Sequence, residues 1–157
     1  MLLLTAVRRA EVEQMQWAEL DLARGLWAIP AERTKTEEPL LVPLSPLAVD
    51  LLSSAPRLDG RFVFTTRPPT HISDWSGVAA RVRERSGVDK WTIHDFRRTV
   101  RTNLSKLGVP ADIGERVLGH AMPGVRPVYD KWSYLPEKRD ALERWADHLA
   151  QVVKSDA

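Results

Sequence analysis

Arg8, Lys35, His94, Arg97, His120 and Tyr129 stand at separate places in the chain, and together they are the side-chain types that attack on a phosphodiester requires. A phosphorus centre under attack becomes five-coordinate and gathers extra negative charge on its non-bridging oxygens. Fixed cations stabilise that charge, and arginine keeps its own at neutral pH. A phenol with an ordinary pKa of about 10 is a weak nucleophile at pH 7. Neighbouring cations favour its ionised form. The leaving oxygen needs a proton, which a lysine on an exposed turn can supply. None of these steps calls for a metal or a cofactor.

Each pair has an ordinary reading beside this one. Arg8-x-x-Glu11 places a guanidinium and a carboxylate on one helix face. That is either a surface ion pair worth roughly 0.3–0.5 kcal/mol or a carboxylate orienting an arginine for bidentate phosphate contact. His94-x-x-Arg97 repeats the spacing at a helix start, where a histidine is a structural group or a phosphate donor. Lys35 in a polar turn is either a solvated lysine or the proton source. Leu118-Gly119-His120 precedes Tyr129 by a turn containing Pro123, Gly124 and Pro127. That turn predicts a loosely held Tyr129, out of line with Arg8 and Arg97 when no phosphodiester is bound. Tyr134 is the competing phenol, and its place before the last helix fits packing better than attack.

Composition narrows the partners. The 157 residues carry no cysteine, 43% apolar and 28% charged residues, and a net charge of +2. They make one domain with a single core. A disulfide scaffold and a thiolate metal site are excluded, and an intracellular, cytoplasmic address is expected. His71, His94, His120 and His148 show no metal-ligand spacing. The sequence pI is about 9.1. The clusters Arg81, Arg83, Arg85 and Arg97, Arg98, Arg101 favour a polyanionic partner, although a charge run is also compatible with a solvated face. Met1-Leu2-Leu3-Leu4 is too short for a membrane span or a signal peptide. It reads as the end of a buried helix whose beginning is missing, so the chain is expected to be a fragment.

The elements that must position the polar set follow from periodicity. Thr5 is expected to cap a helix over 6–17 with Val7, Val12 and Met15 inward. Leu20 to Ile29 predicts a hairpin turning at 23–25, and Leu40-Leu41-Val42 a third strand, with Lys35 at the exposed tip between strands. Ser45-Pro46 starts a helix over 46–54. Phe62-Val63-Phe64 is a short extended segment, and His71 a loop residue without a role. Helices are expected over 72–86, closed by Gly87, from about His94 to Leu107, and over 110–118. A short helix includes Tyr129, and an amphipathic last helix begins at Pro136-Glu137 and runs through Leu142, Trp145, His148, Leu149 and Val152. The sum is a mainly α fold with a small three-stranded antiparallel sheet.

In order and separation these motifs resemble the tyrosine recombinases, or phage-type integrases. Thr5-Ala6-Val7-Arg8-Arg9-Ala10-Glu11 is similar to their first arginine box, T-G-x-R-x-x-E. Arg33-Thr34-Lys35 resembles the sheet turn that carries their lysine, His94-Asp95-Phe96-Arg97 the H-x-x-R box, and Leu118-Gly119-His120 with Tyr129 the closing box. The tail from Tyr134 to His148 is similar to prophage and island integrases of the P4 type. The departure is Ala6, where the family usually has glycine.

The resemblance implies a C-terminal catalytic domain, residues 1–157, lacking the first helix and the N-terminal DNA-binding domains. It implies site-specific recombination of double-stranded DNA for integration or excision of a mobile element. Tyr129 would attack and form a 3′-phosphotyrosyl link. Arg8, Arg97 and His120 would hold the non-bridging oxygens, Lys35 would protonate the leaving oxygen, His94 would support the phosphate, and Glu11 would brace the site. Arg33, Arg98 and Arg101 are expected to contact DNA. Self-association on DNA, tetrameric in the whole protein, is implied, with the last helix over 137–154 docking in trans or covering its own core. The alternatives are a non-catalytic DNA-binding remnant and a type IB topoisomerase-like enzyme.

Overall fold

The computed structural model describes residues 1–58, 60–120 and 133–155. Helix α1, Leu2–Thr5, ends because Ala6 turns left-handed, at φ 55° and ψ 13°, with its N–H on the Leu2 carbonyl. Arg8 is extended, and a separate helix α2, Arg9–Glu13, follows it. One helix over 6–17 is therefore not formed. Thr5 is the last residue of α1 rather than a cap, and its hydroxyl donates to the Met1 carbonyl at 3.0 Å. Val7, Val12 and Met15 are all buried, as their spacing predicts.

After a 3-10 turn at Trp17–Glu19 come strands β1, Leu20–Asp21, β2, Leu26–Ile29, and β3, Leu40–Pro43. They pair antiparallel in the order β1-β2-β3. Trp27 lies opposite both Leu20 and Val42, and Ile29 opposite Leu40. Trp27, Ile29 and Val42 are buried while Ala28 and Leu41 face out, the period-two alternation of a sheet covered on one face. The β2–β3 connection carries a 3-10 turn at Ala31–Arg33 and then Lys35, which is exposed as expected.

Ser45 caps α3, Pro46–Ser53, by accepting the Ala48 N–H. The 62–64 segment lies against the chain leaving α2, with Val63 N–H donating to the Met15 carbonyl at 2.9 Å. Helix α4, Trp75–Ser86, starts later than periodicity predicts because the Asp74 carboxylate accepts the Gly77 N–H at 2.8 Å. Helix α5, Ile93–Lys106, is fixed at its start by Asp95, which accepts the Thr92 N–H at 2.7 Å. Helix α6 is Ala111–Val117, and α7 is Leu135–Ser155.

The core gathers Met15, Trp27, Ile29, Leu44, Leu52, Val100 and Leu104 under α7, which covers them with Ala141, Leu142, Trp145 and Ala146. The Trp145 indole donates to the Leu3 carbonyl at 2.6 Å. The apolar face of the last helix thus docks in cis, and only Val152 and Val153 at its far end remain exposed. No helix among the described residues is long and apolar enough to cross a membrane.

Candidate active site

Helix α6 ends in a left-handed turn that decides where His120 sits. Gly119 has φ 62°, its N–H donates to the Arg116 carbonyl at 3.1 Å, and the His120 N–H donates to the Glu115 carbonyl at 3.0 Å. This is the paired Schellman closure of a helix, which needs a residue content with positive φ at the first position past the cap. A Cβ on Gly119 would also lie 3.1 Å from a Leu40 methyl. The closure leaves the Leu118 and Gly119 carbonyls pointing away from α6. The two arginines take them up.

Arg97 donates from Nη2 to the Leu118 carbonyl at 2.5 Å and from Nη1 to the Ala6 carbonyl at 2.5 Å. Its Nη2 also lies 2.9 Å from Nε2 of His120. Arg97 is 5% exposed and joins the α1–α2 turn, the start of α5 and the end of α6. Burial, and then the neighbouring Arg8 charge, lower its pKa to about 10, while Glu11 and Glu115 act the other way. It stays charged at neutral pH.

Arg8 is held by the carboxylate expected to brace it. Glu11, whose side chain is 2% exposed, accepts the Arg8 N–H at 2.6 Å and Arg8 Nη1 at 3.0 Å. Arg8 Nη2 reaches the Gly119 carbonyl at 3.3 Å. The break between α1 and α2 is what turns Arg8 outward, because an extended N-cap residue projects from the helix end instead of lying along it.

A cleft of about 840 Å³ brings Arg8, Lys35, His94, Arg97 and His120 together, with Arg9, Arg83 and Thr92 on its walls. Those five come from the α1–α2 junction, the β2–β3 turn, both ends of one turn of α5, and the cap of α6. Tyr129 lies outside the described residues, as does the short helix expected around it. Tyr134, the rival phenol, is half-buried with the Arg116 guanidinium 3.5 Å above its ring.

The three arginines expected on DNA differ among themselves, and none lines the cleft. Arg98 is 72% exposed in its side chain and pairs with Asp95 at 3.1 Å. Arg33 is only 11% exposed in its side chain, ion-pairs with Glu19 and donates to the Glu11 carbonyl at 2.7 Å. Arg101 donates from Nε to Glu115 at 2.7 Å and from Nη1 to Ser105 at 2.6 Å. Arg33 and Arg101 are bound into the protein because buried or helix-borne carboxylates lie within their reach, which a charge run cannot indicate.

Sequence reasoning missed Glu115. Its Oε2 is 2.5 Å from His120 Nδ1 and its Oε1 accepts from Arg101. These hydrogen bonds, His120 first, hold its carboxyl below the usual carboxylate range. The signal was present, since a helix closed at Gly119 stacks the next residue over the one five positions earlier.

A mainly helical domain with a three-stranded antiparallel sheet and this cleft of arginines, histidines and a turn lysine defines the tyrosine-recombinase catalytic class. The sequence profile of the phage integrase family matches residues 1–131, and the chain belongs to that family. It is 32% identical over 149 residues to prophage integrase IntA of Escherichia coli K12, covering 92% of this chain and 36% of that protein. It is 31% identical over 167 aligned positions to the integrase of Enterobacteria phage P4, covering 94% of this chain and 38% of that protein. The chain therefore spans well under half the length of these relatives. The integrase of mycobacterium phage Brujita shares the fold at a TM-score of 0.69 and 20% identity, over 92% of this chain and 49% of that one.

Proposed function

We propose that this chain is the catalytic domain of a site-specific DNA recombinase that integrates or excises a mobile element. The observation that carries the reading is the convergence of Arg8, Lys35, His94, Arg97 and His120 on one cleft from separate elements. In the reaction Tyr129 gives its phenol proton to solvent water and its Oη attacks a phosphorus of the DNA backbone. The phosphorus–oxygen bond to the neighbouring sugar breaks, leaving a 3′-phosphotyrosyl link and a free 5′-hydroxyl once Lys35 has protonated the departing oxygen.

Arg8 and Arg97 stabilise the charge on the non-bridging oxygens, His120 adds a donor, and His94 supports the phosphate from the first turn of α5. Glu11 fixes Arg8. The link conserves the energy of the broken bond, so the 5′-hydroxyl of a second strand reverses the step without a nucleotide. Arg98, with Arg9 and Arg83 on the cleft walls, holds neighbouring phosphates. Arg33 and Arg101 brace the site from within. The tetrameric assembly forms on DNA.

The Arg116 guanidinium over the Tyr134 ring supports Tyr129 as the nucleophile, since it gives Tyr134 a packing role. A DNA duplex nicked beside the cleavage point, which traps the covalent product, tests the proposal with the whole protein. A protein–DNA adduct is expected from the native sequence and from Tyr134→Phe, and none from Tyr129→Phe. Binding without an adduct in every case would replace this reading with a non-catalytic DNA-binding protein.

A further inference from the structure

We infer that Glu115, clamped by Arg101, is a positioning residue that fixes which nitrogen of His120 carries the proton and which faces the cleft. The inference deepens the recombinase reading and rests on it for the purpose of the arrangement, though not for the arrangement itself.

Gly114 makes room for Arg101. A Cβ there would stand 3.2 Å from Cζ of Arg101 and 3.3 Å from its Nε, so the missing side chain lets the guanidinium lie flat against α6. From that seat Arg101 Nε donates to Glu115 Oε1 at 2.7 Å. The carboxylate is thereby held with its second oxygen toward the ring, 2.5 Å from His120 Nδ1. An ionised carboxylate only accepts, so Nδ1 must be the protonated nitrogen. Nε2 is left toward the cleft, where Arg97 Nη2 stands 2.9 Å away. A guanidinium only donates, so both neighbours demand the same tautomer: Nδ1–H with a bare Nε2.

The consequence concerns the phosphate. A neutral ring held this way keeps Nε2 directed at the place where a phosphate oxygen would sit, and a second proton on Nε2 makes it a donor there with no rotation of the ring. Metal-binding histidines are oriented by the same kind of carboxylate behind the ring, and loss of that partner there costs roughly 10–100-fold. Here the partner fixes a proton donor instead of a ligand.

Glu115→Gln tests this without changing shape. The amide has one acceptor oxygen, which the charged Arg101 takes, so the NH2 group faces His120 and favours an acceptor at Nδ1, against the pull of Arg97 at Nε2. Imidazole nitrogen NMR of the chain, with the His120 signals assigned by their loss in His120→Gln, reads the tautomer directly. Nδ1–H is expected in the native chain and a mixture of the two tautomers in Glu115→Gln, because Arg97 still favours a bare Nε2. Adding Arg101→Met to Glu115→Gln frees the amide oxygen for the ring and is expected to restore Nδ1–H. An Nε2–H tautomer in the native chain, or an unchanged spectrum in Glu115→Gln, would overturn the inference, whether or not the protein cleaves DNA. On the trapping substrate, Glu115→Gln in the whole protein is expected to slow adduct formation about 10–100-fold with DNA affinity unchanged. An unchanged rate beside a changed tautomer balance would remove the role while leaving the geometry. The absence of any adduct from the native protein would instead strike the recombinase reading alone.

Discussion

Arg97 donates to the carbonyl oxygen of Leu118 at 2.5 Å across 21 residues of sequence. A residue proposed to act on the phosphate is thus also a structural clasp, since the same side chain closes the end of α6 onto the α1–α2 turn. Replacing Arg97 by Lys keeps one charge but leaves at least one of the Ala6 and Leu118 carbonyls without its donor. A lysine cannot span both in the geometry of a planar fork. Urea unfolding of Arg97→Lys is expected to show a loss of about 2–4 kcal/mol. An unchanged midpoint would mean that Arg97 serves the substrate alone.

Ala6 holds φ 55° with no exposure to solvent. A left-handed backbone costs a residue with a Cβ roughly 1–2 kcal/mol, and part of that is offset by the burial of the methyl group. Ala6→Gly is expected to stabilise the chain by about 0.5–1 kcal/mol and to leave Arg8 in place. A destabilised variant would show that the methyl packing outweighs the backbone strain.

Lys138 is 6% exposed and donates to the Leu41 carbonyl at 2.8 Å. Burial first, and Arg116 second, lower its pKa from 10.5 to about 8. The unfolded chain then binds this proton more tightly than the folded one. The penalty is full below pH 8 and is relieved as pH rises from about 8 to 10.5, so stability increases with pH in that window. Lys138→Met removes the buried charge and the bond to Leu41, for a net gain on the order of 1–2 kcal/mol at pH 7. Urea unfolding of both chains should show that gain shrinking by pH 9.5. Equal gains at both pH values would contradict the shift.

Leu142 and Trp145 of α7 are 1% and 2% exposed within a single chain. Light scattering is accordingly expected to give a monomer in the absence of DNA. Removal of residues 137–157 should unfold the domain, seen as lost helical circular dichroism, instead of separating protomers. A folded monomer after that removal would show that α7 contributes nothing to the core.

Much of this was legible in the sequence because it is local. Ser45-Pro46 marks the start of α3, the alternation at Trp27 and Ile29 marks the sheet, and the order of the polar motifs placed Lys35 on the β2–β3 turn. What spacing did not reveal shares a cause. The residue types of Thr5-Ala6-Val7 do not themselves signal a left-handed break, because alanine is a helix former, and the Ala6 carbonyl of that turn is held by Arg97 from a distant helix. Arg33 and Arg101 look like any exposed arginine until Glu19 and Glu115 are placed beside them. Lys138 lies on an amphipathic helix where a lysine is usually solvated, and its burial follows from the approach of β3. These are contacts between distant segments, which spacing along the chain does not encode.

The most direct test of the central claim is the position of the covalent bond. Trypsin leaves Tyr129 in the peptide 117–131, because Pro127 protects the bond after Arg126, and Tyr134 in the peptide 132–138. Adduct from the trapping substrate is digested with nuclease and trypsin, and the peptides are weighed by mass spectrometry. A nucleotide mass on 117–131 is the expected result. The same mass on 132–138, or on neither peptide, would contradict the assignment of Tyr129 to this cleft.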